Sequence, residues 1–179
     1  MTPDWNIGTV VIEGLRARNS RAALNSIDGL YTGAQVCELV SRICLVLKSH
    51  GVCPGDRILV ANDGDIYFPI IYLAVTSLRC VVVPCPANGA SHFGEAYLVE
   101  RTSPRYAIRP MRGDISSVRL VDELPFSLHI YSHHSDAMAL KLHQLDIAAL
   151  MFTSGTTGDP KGVLVSHRNL CVTLEKSVK

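Results

Sequence analysis

Apolar residues recur every three or four positions between Tyr31 and His50, which is the spacing of one face of an α-helix. Thr32 and Gln35 fit a capping box at the start of this segment, and Gly51 fits a left-handed stop at its end. A helix is therefore predicted over residues 31–50. The apolar positions on its inner face are Val36, Leu39, Val40, Ile43 and Leu47.

The next segment predicts a strand followed by a helix. Arg57 to Ala61 is a nearly continuous apolar run, which is typical of a strand buried on both faces of a parallel sheet. Asp65 is predicted to cap a helix that runs to about Leu78. Val81 to Val83 then reads as a second buried strand. Its predicted end is set by two prolines, Pro84 and Pro86. The order strand, helix, strand predicts a parallel pair joined by a right-handed crossover.

The same alternation continues along the rest of the chain. The predicted elements are a helix over Ser91–Thr102, strands over Tyr106–Ile108, near Val118–Val121 and over Ile147–Phe152, and a final helix capped by Ser166. A polar loop rich in histidine is expected around Tyr131–Asp136. The predicted fold class is therefore α/β, with a mostly parallel sheet flanked by helices.

Composition narrows the range of partners. The chain has 179 residues, 47% of them hydrophobic, and a net charge of +1 without a run of basic residues. It can bury one substantial core, and nothing favours binding to nucleic acid. Met1–Ser20 lacks the pattern of a signal peptide, and Ile66–Val75 is far shorter than the roughly 20 residues that cross a bilayer. We therefore expect a cytoplasmic protein without a membrane span that acts on a small molecule.

Two groups of residues invite a metal or redox interpretation. The six cysteines lack the spacing of a zinc site or a disulfide framework, so they are predicted to be reduced core residues. They are Cys37, Cys44, Cys53, Cys80, Cys85 and Cys171. His129 and His133 lie four residues apart, with His134 and Asp136 close behind, but this segment has no helical pattern. A solvated loop is the better interpretation, and no metal site is predicted there.

A carboxylate pair, Asp63 and Asp65, precedes a predicted helix and fits capping better than acid/base chemistry.

The residues from 151 to 163 carry the chemical signal. This segment leaves a predicted buried strand as a loop dense in glycine, hydroxyl groups and one lysine. Glycines let backbone amides approach phosphate oxygens, hydroxyls add donors, and a lysine adds positive charge. The predicted phosphate-binding residues are Thr153, Ser154, Gly155, Thr156, Thr157, Gly158 and Lys161.

Two other interpretations of this loop are weaker. In the Walker phosphate loop the lysine is followed by serine or threonine, whereas Lys161 is followed by Gly162, and Gly155 and Gly158 are too close together. An ordinary glycine-rich turn would explain the glycines but gains nothing from four hydroxyl groups and a lysine. A loop that binds a polyphosphate remains the favoured prediction.

The segment Thr153–Gly162 resembles the phosphate loop of the adenylate-forming superfamily, which includes acyl-CoA ligases, peptide-synthetase adenylation domains and luciferases. The likeness extends upstream over Tyr31–Pro86 and downstream over Ser166–Leu170. Arg79 and Cys80 depart from the pattern, since the family usually has small residues before the third strand. The resemblance implies a sheet-and-helix fold that forms the N-terminal part of a larger ligase domain.

The resemblance also implies a reaction. A carboxylate attacks the α-phosphate of ATP to give an acyl adenylate and pyrophosphate, with Mg²⁺ sharing the phosphate charge. A thiol, either coenzyme A or a carrier-protein phosphopantetheine, then takes the acyl group. The loop from Thr153 to Lys161 would hold the β- and γ-phosphates. The expected function is that of an acid–thiol ligase, with an acyl-CoA ligase preferred to a peptide-synthetase module.

Length completes the expectation. Relatives run to roughly three times this size and place the adenine loop, the C-terminal lid and its catalytic lysine in later sequence. Residues 1–179 are therefore expected to form a partial N-terminal AMP-binding domain that lacks the lid, is inactive alone and pairs with the missing C-terminal part. No catalytic residue can be named. The alternative is a truncated, non-catalytic protein that binds nucleotide or serves as an interaction module.

Overall fold

The computed structural model describes residues 5–26, 29–62, 64–86, 94–111, 118–122, 124–131, 146–153 and 160–177. Its helices are α1 (Ile7–Ala17), α2 (Gly33–Ser49), α3 (Tyr67–Ser77), α4 (Glu95–Thr102) and α5 (His167–Ser177). Its strands are β1 (Ala22–Ser26), β2 (Gly29–Thr32), β3 (Arg57–Asn62), β4 (Val81–Pro86), β5 (Tyr106–Pro110), β6 (Val118–Arg119), β7 (Phe126–Ile130), β8 (Ile147–Thr153) and β9 (Lys161–Ser166).

A seven-stranded sheet forms the centre of the molecule, in the order β6-β7-β5-β3-β4-β8-β9. β3 pairs in parallel with β4 and β5, and β4 pairs in parallel with β8. β7 is antiparallel to both β5 and β6, and β9 is antiparallel to β8. Five of the seven strands, namely β3, β4, β5, β6 and β8, thus point the same way. The prediction of a mostly parallel α/β sheet is confirmed.

The two faces of the sheet carry different cores, because side chains alternate along each strand. On the first face, strand residues pack against α2 and α3 in a large apolar cluster that includes Ile43, Ile58, Val60, Ile70 and Ile108. On the second face, a smaller cluster packs against α4 and contains Leu59, Val83, Leu98, Ala107 and Leu150. Helix α1 packs across α3 and α2 and extends the layer on the first face.

Local signals in the sequence set several element boundaries. Gln35 N–H donates to Thr32 Oγ1 over 3.3 Å, and Gln35 Oε1 accepts the Thr32 amide over 2.8 Å, which confirms the predicted capping box. Gly51 has a φ of +77°, as the predicted left-handed stop requires. Ser166 Oγ accepts the Asn169 amide over 3.1 Å, so the predicted cap of the last helix is also confirmed.

Two predicted boundaries are wrong. Asp65 is not the cap of α3: the cap position is Ile66, and the Asp65 carboxylate accepts the Ile66 amide over 2.5 Å instead. Strand β4 also continues past the predicted Val83, because its pairing with β3 runs through both prolines to Pro86. Its pairing with β8 is recorded at Val82, ahead of both prolines, so the missing amide hydrogens do not interrupt that ladder.

Five described elements were not predicted, namely α1, β1, β2, β7 and β9. Helix α1 begins after Asn6, whose side chain accepts the Thr9 amide over 3.2 Å. The hairpin of β1 and β2 follows it. Strand β7 alternates apolar and polar residues and pairs with β5 along its whole length. The predicted helix at 91–102 is found as α4 from Glu95, and residues 91–93 lie outside the described ranges.

Arg79 occupies the turn between α3 and β4 in a left-handed conformation, with a φ of +56°. Its carbonyl accepts the Gly55 amide over 2.8 Å, which ties this turn to the one that precedes β3. The left-handed conformation costs free energy for a residue with a Cβ atom, because the Cβ lies too close to the following carbonyl oxygen, and it costs glycine far less. The departure from small residues at Arg79 therefore coincides with the backbone position where a small residue fits best.

Candidate functional site

The predicted phosphate loop joins two antiparallel strands. β8 ends at Thr153 and β9 begins at Lys161, and these two residues face each other in the ladder. Thr153 Oγ1 donates to the Lys161 carbonyl over 3.5 Å, a long contact. Both side chains are exposed. The structure thus brings together the first and last of the predicted phosphate-binding residues.

Five of the seven predicted site residues fall between these two. Ser154, Gly155, Thr156, Thr157 and Gly158 lie outside the described residues. Their assignment to phosphate binding stays a prediction from sequence. Strand β9, which fixes the far end of the loop, was not predicted, because its apolar residues are too few to show a period without knowledge of its partner.

The loop leaves the sheet at the edge where ligands bind in open α/β folds. β8 is parallel to β4, and β4 to β3, so the carboxyl ends of these three strands share one edge. Helix α3 follows β3 on the first face, whereas α4 follows β4 on the second. Connections that leave adjacent strands toward opposite faces open a crevice at those strand ends, which is the usual ligand position in such sheets.

The segment after β3 closes tightly beside this crevice. The Gly64 amide donates to Asn62 Oδ1 over 3.2 Å, and Gly64 has a φ of +83°. This turn leads directly into α3 through Asp65. Asp63, the other member of the proposed carboxylate pair, lies outside the described residues.

The base of the phosphate loop packs against α4 through aromatic rings. Tyr97 of α4 meets Phe152 of β8 edge to face, with ring centroids 6.0 Å apart and planes at 83°. Arg101 lies 5.3 Å from the centroid of the Tyr97 ring. Phe152 directly precedes Thr153 and faces Gly162 in the neighbouring strand, where an added Cβ would lie 3.5 Å from the Phe152 ring.

A polar cluster holds the start of α4 on the second face. Arg109 of β5 donates from one guanidinium nitrogen to both Glu95 and the Tyr131 hydroxyl, the latter over 2.6 Å. The Tyr131 hydroxyl in turn donates to Glu95 over 2.9 Å. Burial and the Glu95 carboxylate raise the pKa of Tyr131 to about 12, so the phenol stays protonated. These residues lie far apart in sequence, and no sequence signal joined them.

The C-terminal helix is joined to the N-terminal one by a buried histidine. His167 is the first residue of α5, and its Nδ1 accepts the Ile7 amide of α1 over 3.2 Å. An imidazole nitrogen that accepts this bond carries no proton, so the proton of the neutral ring lies on Nε2. The residue that directly follows β9 is therefore fixed to α1.

The cysteines serve packing rather than redox chemistry. All six are described and none forms a disulfide. Burial raises the pKa of Cys44 to about 11, of Cys80 to about 12 and, with Glu95, of Cys85 to about 11. Cys53 is the exception to the predicted core placement, because it is exposed. A raised pKa keeps Cys44, Cys80 and Cys85 in the less reactive thiol form.

A metal site within the described ranges finds no support. No group of three or more acidic, histidine or cysteine side chains is placed there to hold an ion. His129 lies on β7 and contacts Ser127 Oγ through Nε2 over 3.1 Å, and it is not on a helix. His133, His134 and Asp136 lie outside the described residues.

An apolar groove of about 640 Å³ lies on the side of α1 and α5. Val11, Leu15 and Leu174 line it from the helices, and Met151 reaches it from β8. Its lining offers almost no polar groups, so it does not suit a triphosphate.

No helix of the described chain combines the length and apolar character that crossing a membrane requires.

Comparison with known proteins places these features in context. The family model for the AMP-binding enzyme matches residues 13–178. A probable CoA ligase, CCL5 of Humulus lupulus, is 29% identical over 158 residues, which cover 78% of this chain and 29% of that protein. Nonribosomal peptide synthetase GRA1 of Gibberella zeae is 27% identical over 172 residues, covering 90% of this chain and 2% of the synthetase.

A solved structure shows the same fold. The ATP-bound MatB of Rhodopseudomonas palustris superposes with a TM-score of 0.66 at 19% identity, over 96% of this chain and 36% of that one. The chain thus spans about a third or less of these three relatives. The family match includes α2, the central strands and both strands that flank the predicted phosphate loop, and on this basis the chain belongs to the AMP-binding enzyme family.

Proposed function

We propose that this chain supplies the phosphate-binding part of an enzyme that activates a carboxylic acid with ATP. The observation that carries the proposal is the hairpin that sets Thr153 opposite Lys161 at the carboxyl edge of the parallel strands. A hydroxyl donor and an ammonium group are exposed there together, on either side of a loop rich in glycine and threonine. Membership of the AMP-binding family supports ATP as the polyphosphate.

The proposed reaction is an adenylation. A carboxylate oxygen attacks the α-phosphorus of ATP, the bond from that phosphorus to the bridging oxygen breaks, and the electron pair leaves with pyrophosphate. The products are a mixed acyl–phosphate anhydride and a leaving group that carries additional negative charge. Stabilising that charge requires donors aimed at the β- and γ-phosphate oxygens rather than a nucleophile from the protein.

Lys161 and the loop hydroxyls are suited to that task. Lys161 contributes a positive charge at the end of the loop, and the Thr153 hydroxyl a donor at its start. Mg²⁺ would come bound to the phosphates of ATP and neutralise part of their charge. The residues described here include no acidic cluster that would hold the ion alone, so magnesium is assigned no protein ligands.

The second half of the proposed reaction transfers the acyl group to a thiol. Relatives of both kinds, a CoA ligase and a peptide synthetase, match this chain with similar identity. Coenzyme A is the acceptor that we propose, and a carrier-protein phosphopantetheine is the alternative. We further propose that the chain acts as the N-terminal part of an AMP-binding domain whose mobile lid and catalytic lysine lie in additional sequence.

The test is binding of Mg-ATP to this chain, measured as the shift of the thermal midpoint. A ligand that binds only the folded state raises the free energy of unfolding, by about 2.7 kcal/mol at 100 times its Kd, and therefore raises the thermal midpoint. We expect a shift for the wild-type chain that is lost in Lys161→Ala. Lys48→Ala is the matched control, because Lys48 is an exposed lysine on α2, and it should keep the shift. A wild-type chain without any shift would reject the proposal.

A further inference from the structure

The predicted phosphate loop starts after Thr153 and ends at Lys161, and the geometry of these two positions depends on what holds the strand ends. Thr153 and Lys161 are exposed. The hydrogen bond from the Thr153 hydroxyl to the Lys161 carbonyl is long, at 3.5 Å. Neither side chain fixes the hairpin end by itself. The nearest packed side chain is Phe152, one residue before the loop, which lies against the second face of the sheet.

The Phe152 ring is contacted by Tyr97 of α4 and lies beside Gly162 of β9. The Tyr97 ring meets it edge to face at 6.0 Å, an arrangement that is favourable beyond the area it buries. Gly162, directly opposite in β9, presents no side chain, so the Phe152 ring lies close to the backbone of the other strand. One aromatic contact therefore restrains both strands at the point where the loop leaves them.

Tyr97 is itself fixed by its helix. Leu98, the next residue, is fully buried and anchors the middle of α4 in the second-face core. One turn earlier, the polar cluster of Glu95, Arg109 and Tyr131 ties the start of α4 to β5 and to the end of β7. Arg101 lies over the Tyr97 ring, which adds a cation–π contact on the exposed side.

We propose that Tyr97 is a positioning residue for the phosphate loop, holding Phe152 and through it the strand ends at Thr153 and Lys161, with the Glu95–Arg109–Tyr131 cluster keeping its helix in place. Its effect on nucleotide affinity rests on the proposed function of the loop, but its effect on the hairpin does not. Ligand sites bind well when the first contacts are supported by packed neighbours. Tyr97 is such a neighbour and does not itself contact the phosphates.

The first test is hydrogen exchange of the wild-type chain, Tyr97→Ala and Tyr97→Phe, followed over residues 150–165. Loss of the ring should speed exchange there by about two- to tenfold, the fold-change that corresponds to one aromatic pair. Tyr97→Phe keeps the ring and should exchange as the wild type does. The positioning role is overturned if Tyr97→Ala leaves exchange in this segment unchanged.

A matched control separates positioning from general loosening. Tyr67 of α3 meets Phe126 of β7 in a similar edge-to-face pair, at 5.9 Å and 67°, on the first face. Tyr67→Ala should speed exchange over residues 124–131 and leave residues 150–165 unchanged. Equal acceleration at residues 150–165 in both alanine variants would mean that Tyr97 only contributes to overall stability, and it would reject the inference.

Arg109→Gln tests the role of the polar cluster. This change leaves Glu95 without its cation, and we expect faster exchange both in α4 and over residues 150–165. Acceleration confined to α4 would remove the cluster from the inference.

The Mg-ATP midpoint shift, measured on the same variants, separates the two proposals. If the wild-type chain shows no shift, the proposed function fails while exchange still decides the role of Tyr97. If the wild type shows a shift and Tyr97→Ala shows the same shift, the loop works without this support and the inference fails alone. A shift that is reduced in Tyr97→Ala and retained in Tyr97→Phe supports both.

Discussion

The two faces of the central sheet differ in the helices that cover them and in the size of their apolar clusters. The first face is covered by α2 and α3 over a large apolar cluster, and α1 packs against both of these helices. The second face, among the described residues, is covered by the eight-residue helix α4, over a smaller cluster and beside an ion pair. Among the described residues, the larger apolar layer thus lies on the first face, and the side that supports the base of the phosphate loop has the smaller one.

The contacts on the two faces act differently on stability and on geometry. A thick apolar layer adds stability that grows with buried area and requires no particular orientation. Aromatic and charged contacts contribute less, but they depend on direction and so fix geometry. The second face uses such contacts where the loop begins, at Tyr97 and Phe152. A change on the first face should therefore lower the free energy of unfolding more than an equivalent change on the second.

The largest expected effect compares two adjacent residues of β3 that point to opposite faces. Ile58 and Leu59 are both buried, in the first-face and second-face clusters respectively. We expect Ile58→Ala to lower the free energy of unfolding by about 3–5 kcal/mol and Leu59→Ala by about 2–3 kcal/mol, since the smaller cluster can close more of its cavity. Urea denaturation of both variants measures the difference.

The order of the two values decides this comparison. Equal losses would show that the second face is packed as rigidly as the first, despite its thin cover. A larger loss for Leu59→Ala would contradict the assignment of stability to the α2 and α3 side.

A smaller effect is expected at the joint between α1 and α5. His167→Ala removes the acceptor of the buried Ile7 amide and should cost about 1–3 kcal/mol, the range for an unsatisfied buried donor. His167→Asn is the matched variant, because its side-chain oxygen can take the place of Nδ1 and should recover part of the loss. Thermal or urea unfolding compares the two. An asparagine variant no more stable than the alanine variant would show that packing matters there, not the hydrogen bond.

The smallest effect is a gain in stability at the turn that links α3 to β4. Arg79→Gly should raise the free energy of unfolding by about 0.5–1 kcal/mol, because glycine adopts positive φ without the clash of a Cβ. Ser103, the other residue with a side chain in this conformation among those described, has a φ of +41° and offers a second case, Ser103→Gly. If both variants are less stable than the wild type in urea, side-chain contacts outweigh the backbone relief at these turns.

Sequence alone identified several elements whose determining signal is local. The capping box at Thr32 and the cap at Ser166 each depend on residues three apart, and both are confirmed. The run from Arg57 to Ala61 could be identified as a buried parallel strand because both of its faces are apolar. The helical spacing of α1 and the alternation along β7 were equally local and were missed.

The rest depends on contacts between distant parts of the chain. Glu95 meets Arg109 and Tyr131 across 14 and 36 residues, and the contact of Ile7 with His167 spans 160. No periodicity records such pairs. For the loop itself, composition and a family resemblance indicated the chemistry, and the structure added the antiparallel partner β9 that brings Lys161 back to Thr153.

Gly162 gives the glycine-rich segment a meaning that its sequence hides. A glycine at the end of a loop is commonly taken as a source of flexibility, but here an added Cβ would lie 3.3 Å from Leu150 Cδ1 and 3.5 Å from the Phe152 ring. The contact with Leu150 Cδ1 is slightly tight and the one with the Phe152 ring is ordinary, so an alanine methyl fits with a small shift of the Leu150 side chain and larger side chains have less room. In a mutational scan, position 162 would therefore behave as a steric filter, rejecting side chains by size and not by backbone preference.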